Sequence, residues 1–124
     1  MASPTQQTGA RAEALAESFL RSLGYRIIGR HATSRYGEID LIALAGSELV
    51  FVEVRYRLDE SYGTIEETFS AAKQNRLAAA IADWLQAHPE YEESDYRLDI
   101  IAVSGRDRLN LRHHRAVELP AVAD

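Results

Sequence analysis

Within the stretch GEIDLIALAGSELVFVEVRYR, residues 37–57, acids interrupt two apolar runs: Glu38 and Asp40 in the first, Glu53 in the second. Arg55 and Arg57 follow Glu53 at steps of two. A carboxylate in a half-buried strand is poorly placed unless something compensates its lost hydration. Two carboxylates side by side repel, so one protonates unless a cation bridges them. A divalent ion that favours oxygen ligands, Mg2+ or Mn2+, is the natural bridge. The planar fork of arginine suits phosphate oxygens.

The elements around these residues must bring them together. Gly46-Ser47 reads as a two-residue primed turn, which sets Ala45 opposite Glu48, Asp40 opposite Glu53 and Glu38 opposite Arg55. Opposed residues of an antiparallel pair share a face, with Cβ atoms about 5 Å apart. Alternation then puts Glu38, Asp40, Ile42, Phe51, Glu53, Arg55 and Arg57 on one face. Ile39, Leu41, Val50, Val52 and Val54 point the other way, into a core. A slip of one residue would undo this arrangement.

Upstream, TGARAEALAESFLRSLGY reads as a helix with Thr8 as N-cap, an apolar stripe from Ala12 to Leu23, and Gly24 as its stop. On a helical wheel Glu13 lies about 20° from Leu20, at the edge of that stripe, and is placed to be a third ligand of the ion. YRIIGRH is a short strand, and SYGTIEETF an irregular connection. A second long helix runs from about Ser70 to Ala87 on a stripe of Leu77, Ile81, Trp84 and Leu85, and Pro89 closes it. Lys73 lies about 40° from Leu77 on that helix. YRLDIIAV is apolar enough for a central strand covered on both faces, and RLNLRHH is an edge strand. The order α-β-β-β-α-β-(β) implies an α/β fold, a mixed central sheet flanked by helices. One domain is expected over residues 1–124, with residues 1–7 and 120–124 as loose tails.

The formal net charge is −5, but it is unevenly spread. Residues 1–57 carry 7 Arg against 6 acids, residues 58–96 carry 2 bases against 9 acids, and residues 97–124 carry 5 against 4. A local footprint for phosphate is therefore compatible with an acidic chain. Lys73 is the only lysine beside 13 arginines. The chain has no cysteine, hence neither a disulfide framework nor a thiolate metal site. The first ten residues lack a basic and apolar leader, and no apolar run approaches the length of a membrane span. A cytoplasmic protein with no membrane partner is expected.

GEIDLIA followed by LVFVEVRYR resembles the YraN family, uncharacterised bacterial proteins of the restriction-endonuclease-like (PD-(D/E)xK) superfamily, and is similar to archaeal Holliday junction resolvases. The resemblance extends over TGARAEALAESFLRSLGYRII, Tyr62-Gly63, KQNRLAAAIADWL and YRLDIIAV. It implies a nuclease core in which Asp40 and Glu53 match the acidic metal ligands and Glu13 the acid of the first helix. Lys73 and Gln74 match the polar pair opening the second long helix. It further implies DNA, including branched DNA, as partner and Mg2+ or Mn2+ as cofactor. Nucleic-acid contacts are expected from Arg35, Arg55, Arg57, Lys73 and Gln74. A homodimer is compatible with it. One position departs: the family pattern VEVK has lysine where this chain has Arg55. Arginine can stabilise phosphate charge but does not deprotonate to act as a base, which leaves Lys73 to share the catalytic role with Asp40, Glu53 and Arg55.

Other readings stand beside this one. Asp40 and Glu53 can be neutralised by Arg35, Arg55 or Arg57 in a structural network, Glu38 can pair with Arg55, and Glu13 can be a surface acid. His113-His114 alternate faces and cannot share one ligand geometry. The chain as a whole fits a metal-dependent nuclease, a nucleic-acid-binding module of the same fold without turnover, or a protein-interaction domain using acidic residues 58–96.

Overall fold

A computed structural model describes residues 4–61 and 63–120, with the side chains of residues 4–7 left out. The order is α1 (Pro4–Ser22), β1 (Arg26–Ser34), β2 (Gly37–Ala45), β3 (Glu48–Arg57), α2 (Ala71–Ala87), β4 (Tyr96–Ser104) and β5 (Asn110–Val117). Short 3-10 turns at Glu66–Thr68 and Pro89–Tyr91 precede and follow α2. The strands form one sheet in the order β1-β2-β3-β4-β5, in which only β3 and β4 run parallel. That single parallel step needs a long crossover, and α2 supplies it. The chain is thus the expected α/β class, a mixed sheet flanked by helices.

α1 begins at Pro4, so Thr8 lies within the helix and is not its cap, and residues 4–7 are helical rather than a loose tail. Residues 1–3, 121–124 and Tyr62 of the Tyr62-Gly63 pair lie outside the described residues. Gly24 stops α1 as expected. At φ +86 it takes the left-handed position, Tyr25 N–H donates to the Leu20 carbonyl and Gly24 N–H to that of Arg21, a Schellman closure. Ser70 caps α2 by accepting from the Lys73 backbone N–H.

The hairpin register is the expected one, with Ala45 opposite Glu48 and Leu41 opposite Val52. Gly46, at φ +64, takes the first turn position. Helices cover both faces of the hairpin, as a flanked sheet requires, and one expectation about faces is corrected. Ile42 and Phe51 pack with Leu77, Ala80 and Ile81 of α2, whereas Leu41, Val50 and Val52 pack with Ala12, Ala16 and Leu20 of α1. Ile39 does not share the face of Leu41 but joins Ile42 in the α2-side cluster. Alternation breaks between them, at Asp40, because the β2–β3 ladder ends at Leu41 and the next backbone donor of β3 is taken by a side chain. Asp40 Oδ2 accepts from Val54 N–H at 2.7 Å.

β4 is buried along most of its length, as its apolar sequence implies. Trp84 is packed, edge-on to Phe51 with centroids 5.4 Å apart and stacked against His88. His113 and His114 point to different partners, Asp99 and Glu66.

Candidate metal and phosphate site

Where β2 parts from β3, the Asp40 carboxyl enters the gap and shares a hydrogen bond with that of Glu53. Burial is the main force on both. With the Asp40 charge beside it, it pushes Glu53 up to about 8, and it raises Asp40 even though Glu53 and Val54 donate to Asp40. Among the described residues neither acid forms an ion pair with lysine or arginine, so a structural salt-bridge network is not what holds them; Arg55 and Lys73 act on Glu53 only at longer range.

Glu53 opens on a cleft of about 500 Å³ between the β1–β2 turn and α2, with Arg35, Arg55, Lys73 and Arg76 in its lining. Glu38 lies on its rim. Arg55 is set against the Phe69 ring, its guanidinium carbon 5.7 Å from the centroid. Its Nε is buried and has no hydrogen-bond partner among the described residues, a state that calls for a physical reason. Lys73 faces the cleft from the first turn of α2, on the side of Leu77. Arg35 lies over the Tyr36 ring and its Nη2 donates to the Tyr36 hydroxyl at 2.6 Å.

Three of the expected side chains have partners within the protein. The Gln74 amide donates to the Phe69 carbonyl at 3.0 Å and so secures the loop beneath Arg55. Arg57 is exposed and donates to Thr68 Oγ1 at 3.2 Å, further along the same strand. Glu38 pairs with a histidine and not with Arg55.

That histidine, His31, went unread in the sequence. The pairs Arg30–Leu41 and Ala32–Ile39 bracket His31 opposite Asp40, and its φ of +50 breaks the regular run of β1. Its Nε2 lies 2.9 Å from Glu13 Oε2 of α1, and its Nδ1 lies 2.7 Å from Glu38 Oε1. Glu13, His31 and Asp40 each bring one ligand atom within 4.8 Å of the others. Glu13 therefore does turn toward Asp40, at the edge of the helix stripe. Desolvation raises it, offset by His31, and the paired acids raise His31 in turn. Arg76 was also missed. Positive φ in a strand and helix-to-cleft proximity leave no sequence pattern; one turn of spacing from Lys73 was the available signal for Arg76.

Fold and site define a mixed α/β domain with a carboxylate pair at a strand splay and four cations around the adjoining cleft. The chain belongs to UPF0102, an uncharacterised protein family whose match spans residues 12–103. That is the family named from the hairpin motifs. A UPF0102 protein of Stutzerimonas stutzeri is 39% identical over 102 residues, covering 82% of this chain and 85% of the relative. One from Chloroflexus aurantiacus is 41% identical, covering 86% of each chain. The solved structure of SfsA from Pyrococcus furiosus in complex with Ca2+ is similar at a TM-score of 0.43 and 14% identity, over 93% of this chain and 65% of that one. No helix among the described residues is long and apolar enough to cross a membrane.

Proposed function

We propose that this protein is a divalent-metal-dependent phosphodiesterase acting on DNA, with branched or structured DNA among its substrates. The observation that carries the reading is the Asp40–Glu53 pair: two partly buried acids hydrogen-bonded to each other, with no lysine or arginine ion pair among the described residues, beside a cation-lined cleft. The residues present fit a divalent ion. Their donors are carboxylate oxygens, and the orphaned Arg55 Nε next to them suits a phosphate oxygen. Asp40, Glu53 and Glu13 would hold Mg2+ or Mn2+, which supplies charge neutralisation and a more acidic water.

The chain's own residues do the rest. Val54 N–H holds one Asp40 oxygen and fixes the carboxylate's orientation. Arg55 presents its fork to phosphate and stabilises charge in the transition state. Lys73 and Arg35 add charge from opposite walls of the cleft. Arg57 extends the contact along the backbone of the nucleic acid, which positions it without reading sequence.

The arginine at position 55 favours a second reading, a DNA-binding module without turnover. A protein-interaction role for residues 58–96 is less supported, since Glu60 and Glu66 are already engaged by Arg112. The test is incubation with linear duplex, single-stranded and four-way-junction DNA in Mg2+ or Mn2+. Cleavage that disappears in Asp40→Ala supports the nuclease. Salt-sensitive binding without cleavage supports the binding module, and Arg55→Lys should then create turnover if only that residue is wanting. Neither binding nor cleavage rejects both.

A further inference from the structure

The role of His31 goes beyond the acidic ligand set. We infer that His31 is a nitrogen ligand of a cation held with Glu13 and Asp40, and that it turns the site from Mg2+ toward Mn2+ and the later first-row divalent ions. The inference rests on the divalent-cation reading of Asp40 and deepens it.

Three observations converge. First, Glu13, His31 and Asp40 come from three different elements, α1, β1 and β2, yet their ligand atoms lie within 4.8 Å of one another. Second, His31 Nε2 lies 2.9 Å from Glu13 Oε2. Two ligands of one ion at right angles, with bonds of about 2.1 Å, stand about 3 Å apart. Third, the opposite ring nitrogen is occupied: Nδ1 lies 2.7 Å from Glu38 Oε1. A carboxylate that takes the second imidazole N–H fixes the tautomer, orients the ring and makes the free nitrogen a better donor, the usual support of a metal-binding histidine. Glu38 is then a positioning residue for His31.

The backbone agrees with this use. His31 sits at φ +50 in the middle of β1, where a regular strand would carry its side chain elsewhere. Histidine is among the residues that tolerate this region, and departures of this kind gather at functional sites. A lone imidazole among carboxylates also has a chemical consequence. Mg2+ favours carboxylate and water oxygens, whereas imidazole suits transition ions, and affinity rises along the series from Mn2+ to Ni2+.

The test uses the full chain and the metal ions alone. Asparagine also tolerates positive φ, so His31→Asn keeps the backbone and removes the imidazole. Calorimetry with Co2+ and with Mg2+ gives the selectivity, and pulsed EPR with Mn2+ reports directly whether a nitrogen is bound. His31→Asn should lower Co2+ affinity about 10- to 100-fold and Glu38→Gln about tenfold, while Mg2+ affinity changes less than about threefold. The parent should show nitrogen coupling to Mn2+ that is lost in His31→Asn. Mn2+ bound without nitrogen coupling, or Co2+ and Mg2+ affinities falling alike in His31→Asn, would overturn the role of His31 and leave the carboxylate reading standing. Failure of every ion to bind would overturn both.

Discussion

Asp99 and the Asp40–Glu53 pair are acids withdrawn into the same sheet, and the chain surrounds them in opposite ways. Asp99 is wholly buried on β4, and its oxygens are met on every side. Arg97 Nε donates to it at 3.0 Å, His113 Nε2 lies 2.8 Å away, and Ala116 N–H donates at 3.0 Å across a shift in the β4–β5 register. Arg97 itself bridges to Tyr25 and Glu48. Among the described residues the hydrogen bonds of Asp40 and Glu53 are one from a backbone donor and one between the two acids. A buried acid whose partners are all protein is part of the framework. A pair of acids that no lysine or arginine contacts among the described residues, next to an arginine with a spare buried donor, is arranged for something that arrives from outside.

The largest effect expected from this contrast is on stability. Asp99→Ala removes one member of a buried ionic network and leaves Arg97 and His113 without their acceptor, which should destabilise the fold by about 3–5 kcal/mol. Asp40→Asn with Glu53→Gln keeps an acceptor for Val54 N–H and removes the repulsion, so the double variant should be at least as stable as the parent near pH 8. Urea unfolding of the two variants side by side decides this. Equal losses would erase the distinction between framework acid and site acid.

A smaller effect appears in the pH dependence. Between the ordinary carboxyl value of 4.5 and about 8, folded Glu53 holds a proton that the unfolded chain has released. Without added metal, stability should therefore fall as pH rises through this window, by at most about 1.4 kcal/mol per pH unit from this group. Glu53→Gln should flatten that slope. A slope unchanged by Glu53→Gln would mean that the pair does not share a proton in solution.

The smallest effect concerns the rim of the site. Arg57 is exposed and loosely engaged, so Arg57→Ala should weaken DNA binding only a few-fold, equally for all sequences, and reduce the dependence of log affinity on log salt by about 1. Affinity that does not depend on salt would remove phosphate from the account and weaken the link between the carboxylates and the cations around them.

Much of this contrast was legible in the sequence. The Gly46-Ser47 turn and the alternating hairpin gave the register, and with it the meeting of Asp40 and Glu53. The stripe of α1 put Glu13 on the correct edge, and the apolar run of β4 announced its burial. The face of Ile39 could not be read, because alternation assumes an unbroken ladder and Asp40 breaks it by taking the Val54 donor with its own side chain. The start of α1 was misread at Thr8, since a good capping residue inside a helix looks the same in sequence as one at its end. His31 carries no local signal, because its left-handed backbone within a strand has no sequence pattern and its partners Glu13 and Glu38 come from α1 and β2. The role of Asp99 leaves no sequence pattern, because its partners come from β4 itself and from two positions on β5, held by a strand irregularity that carries no motif.

The central claim is that Asp40 and Glu53 hold a divalent ion, and its most direct measurement is thermal unfolding with and without millimolar Mg2+ or Mn2+. An ion that binds only the folded chain raises the melting temperature by linkage, about 2.7 kcal/mol when its concentration is 100 times the dissociation constant. The parent should show the rise, larger at pH 8 than at pH 6 as the shared proton becomes easier to displace, and the Asp40→Asn/Glu53→Gln variant should show none. An identical response in parent and variant, or no response in the parent with either ion, would contradict the claim.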